Sequence, residues 1–540
     1  MKKLILFFLT ITTISCIKKE SADTLIINAN IYTVNSNFDT AEAFAIKDGK
    51  IIDVGTTLEI QSKYASTYVN DVKGKTILPG FIDAHCHFYG LGLQQQKVDL
   101  TGTKSFDEVV QRIVNFQKEK KVNYITGRGW DQNDWEIKKF PTKNKLDELF
   151  PTTPIAVRRI DGHALLANQA AIDLAKVTIH TSFSGGEILQ KNGKLTGVFI
   201  DNPMALINVT IPNPSKSEQI QALKDAEKIS LFYGLTTVDD AGISRKTIEL
   251  IDSLQQTNEL KIRIYAMVSN SPENLDYYLN KGIIKTEKLN VRSIKVYGDG
   301  ALGSRGAALK KPYADRHNHF GALLASPEEY LNIAKKIAAS DYQMNSHAIG
   351  DSANYLLLKT YKEVLKGKNN RRWRIEHAQI IDKKDFEYFN NILPSVQPTH
   401  ATSDMYWAED RVGKERIKGA YAYKDLLNTY GKIALGTDFP IEKVSPFLTF
   451  YAAVARKDLN NYPEKGFQTE NALTREETLK GMTIWAAYSN FEEHEKGSIE
   501  VGKLADFIIL DKNIMEIELP RIPYLKVEET YIGGERVYRK

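Results

Sequence analysis

The chain has 540 residues, 42% of them hydrophobic and 26% charged, an ordinary balance for a globular protein long enough to bury a large core. Its 72 basic and 67 acidic residues leave a net charge of +5, which marks neither a nucleic-acid nor a strongly acidic partner. Only two cysteines occur, Cys16 and Cys86, so no disulfide framework builds the fold.

Residues 1–16 form a unit of their own. Met1-Lys2-Lys3 is a cationic start, residues 4–14 are apolar with a few threonines, and Ser15-Cys16 closes the run. That order reads as a secretory signal, too short to span a membrane. Thr13-Ile14-Ser15-Cys16 resembles a bacterial lipobox, although Thr13 stands where leucine is usual. The resemblance implies a mature chain lipidated at Cys16, anchored at the cell envelope and touching the membrane only through that lipid. The alternative is a plain signal and a periplasmic or secreted protein.

Residues 17–23 read as a polar tether. Over 24–76, short β-branched runs such as Thr24-Leu-Ile-Ile-Asn28 and Ala43-Phe-Ala-Ile-Lys47, with a turn at Asp48-Gly49, predict strands of a β-sandwich. Residues 491–540 are strand-rich in the same way, and the two ends are expected to form one small β domain.

Between them, residues 77–490 alternate short apolar runs with helix-length amphipathic stretches, for example 219–233 before 235–239 and 327–339 before 344–347. This alternation predicts parallel strands with crossover helices, closed as a (β/α)8 TIM barrel, with an insertion at about 97–212. The barrel opens on Ile77-Leu-Pro-Gly-Phe-Ile-Asp-Ala-His85-Cys-His87, a buried strand on which alternate residues share a face. His85 and His87 therefore lie roughly 6.5–7 Å apart along one face, close enough to converge on one cation. Cys86 faces the other side as a small buried thiol. The chain holds a second pair with the same spacing, His317 and His319, but in a polar segment without strand pattern, and it reads as a loop.

Four further candidates sit where strands should end: Lys295 in Ser293-Ile-Lys-Val-Tyr297, His347 in Asn345-Ser-His-Ala-Ile349, His377 in Arg374-Ile-Glu-His377, and Asp438 in Gly436-Thr-Asp-Phe-Pro440. Barrel enzymes gather their chemistry at those ends. Singly, each has a structural alternative as a core histidine, a solvated lysine or a helix cap. The ordered set resembles the amidohydrolase superfamily, in the YtcJ-like branch related to N-substituted formamide deformylase. The segments that carry the likeness are 78–87, Gly129-Trp-Asp-Gln-Asn-Asp-Trp135, Asp161-Gly-His163, Lys295 with Asp299-Gly-Ala-Leu-Gly-Ser304, His347-Ala-Ile-Gly-Asp351, Glu376-His377, Val396-Gln-Pro398 and Gly502-Lys-Leu-Ala-Asp506.

That resemblance implies a hydrolase of non-peptide carbon–nitrogen bonds with one or two divalent metal ions, zinc being the expected one. It assigns His85 and His87 to one ion and His347 and His377 to the other. Lys295 bridges them as a carbamate formed with carbon dioxide, since an ammonium has no lone pair to give a cation. Asp438 touches the metal-activated water and serves as general base, then acid. The substrate is a small molecule, expected to be a linear or N-substituted amide; an ester, lactone or carbamate is the alternative on the same site. A catalytically inactive barrel serving as a binding lipoprotein is the alternative from another class. A homodimer is compatible with the family. Arg305, His163, His400 and Trp130 are candidates for substrate binding, each with a structural alternative: a surface arginine, two satisfied histidines and a packing tryptophan.

Overall fold

The computed structural model describes residues 19–160, 162, 164–182 and 186–540. Its centre is a sheet of eight parallel strands: β1 (Phe81–Cys86), β2 (Leu235–Ile243), β3 (Arg263–Ser269), β4 (Leu289–Tyr297), β5 (Gln343–Ala348), β6 (Arg374–His377), β7 (Leu393–Val396) and β8 (Ala434–Leu435). The strands are buried on both faces, with side chains of the barrel interior on one and crossover helices on the other, and the polar residues they carry, such as Asp239 and Arg374, pair inside at 3.0 Å. The helices cap as their sequences require. Ser215 and Ser326 each accept from the N–H three residues on and receive a glutamate in return, which opens helices Lys216–Phe232 and Pro327–Ala338.

The seam between β8 and β1 places the chemistry. Residues just past β8 carry on beside β1: Asp438 N donates to His85 O and Phe439 O accepts from His87 N, both at 2.8 Å. Gly436 is required there, because a Cβ would lie 2.5 Å from His85 N. Asp83 fastens the seam by accepting from Thr437 N at 3.0 Å and Thr437 Oγ1 at 2.7 Å.

Both ends of the chain build the flanking sheets. The C-terminal strand Phe507–Leu510 runs antiparallel to Thr76–Pro79, immediately before β1, with Ile508 opposite Leu78. Phe507 stacks on Tyr531 and meets Phe44 edge-on, joining this six-stranded sheet to the four-stranded N-terminal one. Of the polar tether expected over 17–23, residues 19–23 are described. Glu20–Ser21 pairs in parallel with Tyr64–Ala65, and Ala22 is buried. At the other boundary, contacts with the barrel continue past residue 490: Asn490 Nδ2 donates to Asp239, and Glu492 pairs with Lys285 and Lys496.

The insertion is a six-stranded mixed sheet between Val98 and Asp201, with its own apolar core of Val109, Ile113, Trp130, Ile155 and Val157. Trp130 belongs to that core. It is fully buried, and its Nε1 donates to Val157 O at 3.0 Å, so packing and a satisfied N–H account for it and it does not wall a pocket. His163 and residues 1–18, with Cys16, lie outside the described residues.

Candidate metal centre

His85 is the penultimate residue of β1, and His87, one residue past the strand, is the N-cap of α1 (Phe88–Gln94). Lys295 lies near the end of β4, His347 near the end of β5 and His377 at the end of β6, while Asp438 follows β8. Two of these positions hold non-glycine residues in the left-handed region, His377 at φ 73° and Asp438 at φ 63°, conformations that surrounding contacts must maintain.

Three histidines are oriented alike. Nδ1 of His85 faces Glu376 Oε2 at 2.7 Å, Nδ1 of His87 faces Ala241 O at 3.1 Å, and Nδ1 of His377 faces Gln397 Oε1 at 2.7 Å. Each partner accepts, so each Nδ1 carries a hydrogen, which in His85 and His377 leaves Nε2 with its lone pair for the interior. At His87 burial is outweighed by the nearby Asp438, which raises its proton affinity. Burial holds His85 and His377 well below the usual histidine range, which keeps them neutral, and pushes His347 down to about 3.

Asp438 is the hub. His87 Nε2 lies 3.2 Å and His85 Nε2 3.7 Å from its Oδ1, and His400 Nε2 lies 3.2 Å from its Oδ2. Burial opposes ionisation of Asp438, but contacts led by its hydrogen bond with His400 outweigh that and hold the carboxyl well below the usual range. Oδ1 has no hydrogen-bond donor among the described residues, so a buried carboxylate oxygen faces two imidazole nitrogens with nothing between them. Lys295 Nζ stands 3.2 Å from His85 Nε2, and burial lowers it to about 8, Glu376 and Asp438 opposing that only in part.

Neutral imidazole lone pairs and an unpartnered carboxylate oxygen turned inward are a donor set for a divalent cation. Two groups have ligand atoms within 4.8 Å of one another: His85, His87 and Asp438, and His377, His400 and Asp438. His347 joins neither. Its ring lies 4.5 Å from that of His377, but its Nε2 is turned toward Asp299 Oδ1, 3.6 Å away. His400, expected to orient substrate, is brought over Asp438 by α2 (Pro398–Asp404) and held on its far side by Glu442. Burial works against its charge, yet hydrogen bonds to the two carboxylates raise it to about 10.

Arg305 is engaged elsewhere. Its Nε and Nη2 make a two-pronged contact with Asp315, at 3.1 and 2.8 Å, which stitches its own loop. His319 is part of the same loop, with Nε2 at 2.9 Å from Arg305 O, whereas His317 is exposed. Glu376, Gln397 and Asp83 stand in the sequence only inside motifs that carry the family likeness, with no role assigned to them, and Glu442 was not singled out at all. The signal for Glu376 was present: Arg374-Ile-Glu-His377 puts two opposite charges at alternate positions of a wholly buried strand, where only a built network can hold them.

The amidohydrolase family matches residues 69–538 of the chain. The chain is 32% identical to Protein LONG AFTER FAR-RED 3 of Arabidopsis thaliana, over 96% of this chain and 92% of the relative. It is 30% identical to the putative amidohydrolase YtcJ of Bacillus subtilis, over 94% and 98%. It is 26% identical to N-substituted formamide deformylase of Arthrobacter pascens, over 96% and 98%. Among solved structures, an uncharacterized metal-dependent hydrolase from Pyrococcus horikoshii superposes with a TM-score of 0.78 at 28% identity, covering 92% of this chain and 99% of that one.

Proposed function

Because the chain belongs to the amidohydrolase family, we propose that this metal-dependent hydrolase cleaves the carbon–nitrogen bond of a small linear or N-substituted amide. The observation that carries the reading is the convergence of His85, His87 and His377 on Asp438 with every Nδ1 tied outward. Similarity to a formamide deformylase along nearly its whole length supports the amide as substrate.

His85, His87 and Asp438 would hold one divalent cation, proposed to be zinc, and His377, His347 and Lys295 would take part in holding a second where two bind. A bound divalent cation makes a water acidic enough to attack near neutral pH and polarises the scissile carbonyl. Lys295 contributes as a carbamate: its neutral amine forms an N–C bond with carbon dioxide and releases a proton, leaving an anionic group with two oxygens. The lowered proton affinity of the buried amine supports this step, since a larger neutral fraction is present near pH 7 than for a surface lysine. Asp438 takes the proton of the attacking water on a carboxylate oxygen and hands it to the departing nitrogen, which leaves as an amine. Glu376 holds the His85 ring in one tautomer throughout.

The test is an assay of the zinc-loaded protein against N-formyl, N-acetyl and N-carbamoyl compounds paired with their esters. Turnover of at least one amide, lost on chelation and regained with metal, is the expected result. Hydrolysis of esters or lactones alone would replace the amide reading, and a protein that binds metal but hydrolyses none of them would point to a binding barrel.

A further inference from the structure

His400 is set between two carboxylates. Its Nε2 lies 3.2 Å from Asp438 Oδ2, and its Nδ1 lies 3.2 Å from Glu442 Oε1. One loop carries both acids, because Glu442 follows Asp438 by four residues on a turn in which Ile441 N donates to Asp438 O at 2.9 Å. Glu442 is itself fixed: Ser403 Oγ, from the same helix α2 as His400, donates to its Oε1 at 2.6 Å. The side chains of His400, Asp438 and Glu442 are all largely buried, at 13%, 7% and 20% exposure.

A carboxylate only accepts hydrogen bonds, so the ring offers an N–H to each acid. Without Glu442, the imidazole is free to turn about its χ2 torsion, which is soft for histidine. With Glu442 in place, Nε2–H is aimed at one oxygen of Asp438. The two oxygens of that carboxylate then have separate duties: Oδ2 is taken by His400, and Oδ1 stays without a donor, facing His85 and His87.

The geometry points to Glu442 as a positioning residue that acts through His400 to decide which oxygen of Asp438 serves the metal and the attacking water. It does not touch the reacting atoms. The inference rests on the metal-hydrolase reading of the site but not on the identity of the substrate.

The test is a double-mutant cycle on zinc affinity, measured on the full chain stripped of metal and titrated with zinc against a chromophoric chelator. Glu442→Gln keeps size and an acceptor oxygen but loses the charge, and it is expected to weaken zinc binding about tenfold, as loss of a supporting partner of a metal ligand does. In a His400→Asn background the same change is expected to cost nothing further. With any amide the wild type turns over, Glu442→Gln is expected to lower kcat with KM unchanged.

An affinity within twofold of wild type in Glu442→Gln would overturn the inference, as would an equal loss with and without His400. Loss of a whole equivalent of zinc in His400→Asn would do so too, by making the ring a ligand in its own right. A wild type that binds zinc but hydrolyses no amide sinks the substrate reading alone and leaves this one to the affinity cycle. A wild type that binds no zinc overturns both.

Discussion

At the scale of single residues, Asp438 and Lys295 carry the sharpest consequences. Asp438→Asn keeps the shape of the hub but removes the base and the anionic ligand, so kcat is expected to fall by about 10²-fold or more while the thermal transition barely moves. His317→Ala is the internal control. That ring has the same H-x-H spacing but is exposed, and wild-type kcat/KM is expected of the variant; its neighbour His319 holds Arg305 O and is no such control. Lys295→Ala is expected to lose metal and activity together, with a short carboxylic acid restoring part of both by supplying the missing oxygens. Carbamate formation needs the neutral amine, whose share rises as pH passes through about 8. At a fixed concentration of dissolved carbon dioxide, the metal-free protein is therefore expected to reactivate with zinc faster at pH 8.5 than at pH 7. A rate flat with pH, or indifferent to carbon dioxide, would remove the carbamate.

At the scale of elements, the sequence told most where a period or a strand end was involved, and least where two distant segments meet. His85, His87, Lys295, His377 and Asp438 could be found because each ends an apolar run, and strand ends in a barrel face one place. Glu442 could not, since nothing in the order Asp438-Phe-Pro-Ile-Glu442 says that α2 will lay an imidazole between its two acids. For Trp130 the partner could not be read either: packing was the stronger expectation for it, and its N–H finds Val157 O across the insertion sheet. Asp506, in the closing Gly502-Lys-Leu-Ala-Asp506, was legible as a motif and gains its physical reason only in the fold. Its carboxylate receives Arg263 Nε at 2.7 Å, Arg263 Nη2 at 3.0 Å and Gly533 N at 2.7 Å, locking the terminal sheet to the foot of β3. Both side chains are buried, at 1% and 3% exposure. Asp506→Leu would remove the two-pronged partner of a buried guanidinium and leave Glu287 as its remaining partner, so a loss of about 3 kcal/mol is expected. Adding Arg263→Met should recover much of it, because an apolar pair of similar size avoids the unpaired charge. Chemical denaturation of the two variants checks this, and equal destabilisation of single and double variants would mean that Asp506 acts through Gly533 alone.

At the scale of the whole molecule, the remaining question is where this barrel works. No helix among the described residues is long and apolar enough to cross a membrane. Residues 1–18 lie outside the described part of the chain. The cationic start, the apolar run and Ser15-Cys16 support the proposal that Cys16 becomes a lipidated amino terminus. Glu20, four residues on from Cys16, pairs with Tyr64, so an anchor at Cys16 would hold the terminal sheet within a few residues of the bilayer surface. Each buried methylene of a lipid contributes about 0.8 kcal/mol to membrane binding, so the anchored and unanchored forms should partition very differently. Fractionation of the producing cells is expected to place the wild type with membranes and Cys16→Ser away from its mature, anchored form. Mass spectrometry of the wild-type amino terminus should show a diacylated or triacylated cysteine. Because the catalytic groups all lie in the barrel, protein purified without residues 1–18 should keep the zinc affinity and kcat of the anchored protein. An unmodified mature terminus downstream of Cys16 would instead make this a periplasmic or secreted enzyme, with the chemistry at Asp438 unchanged.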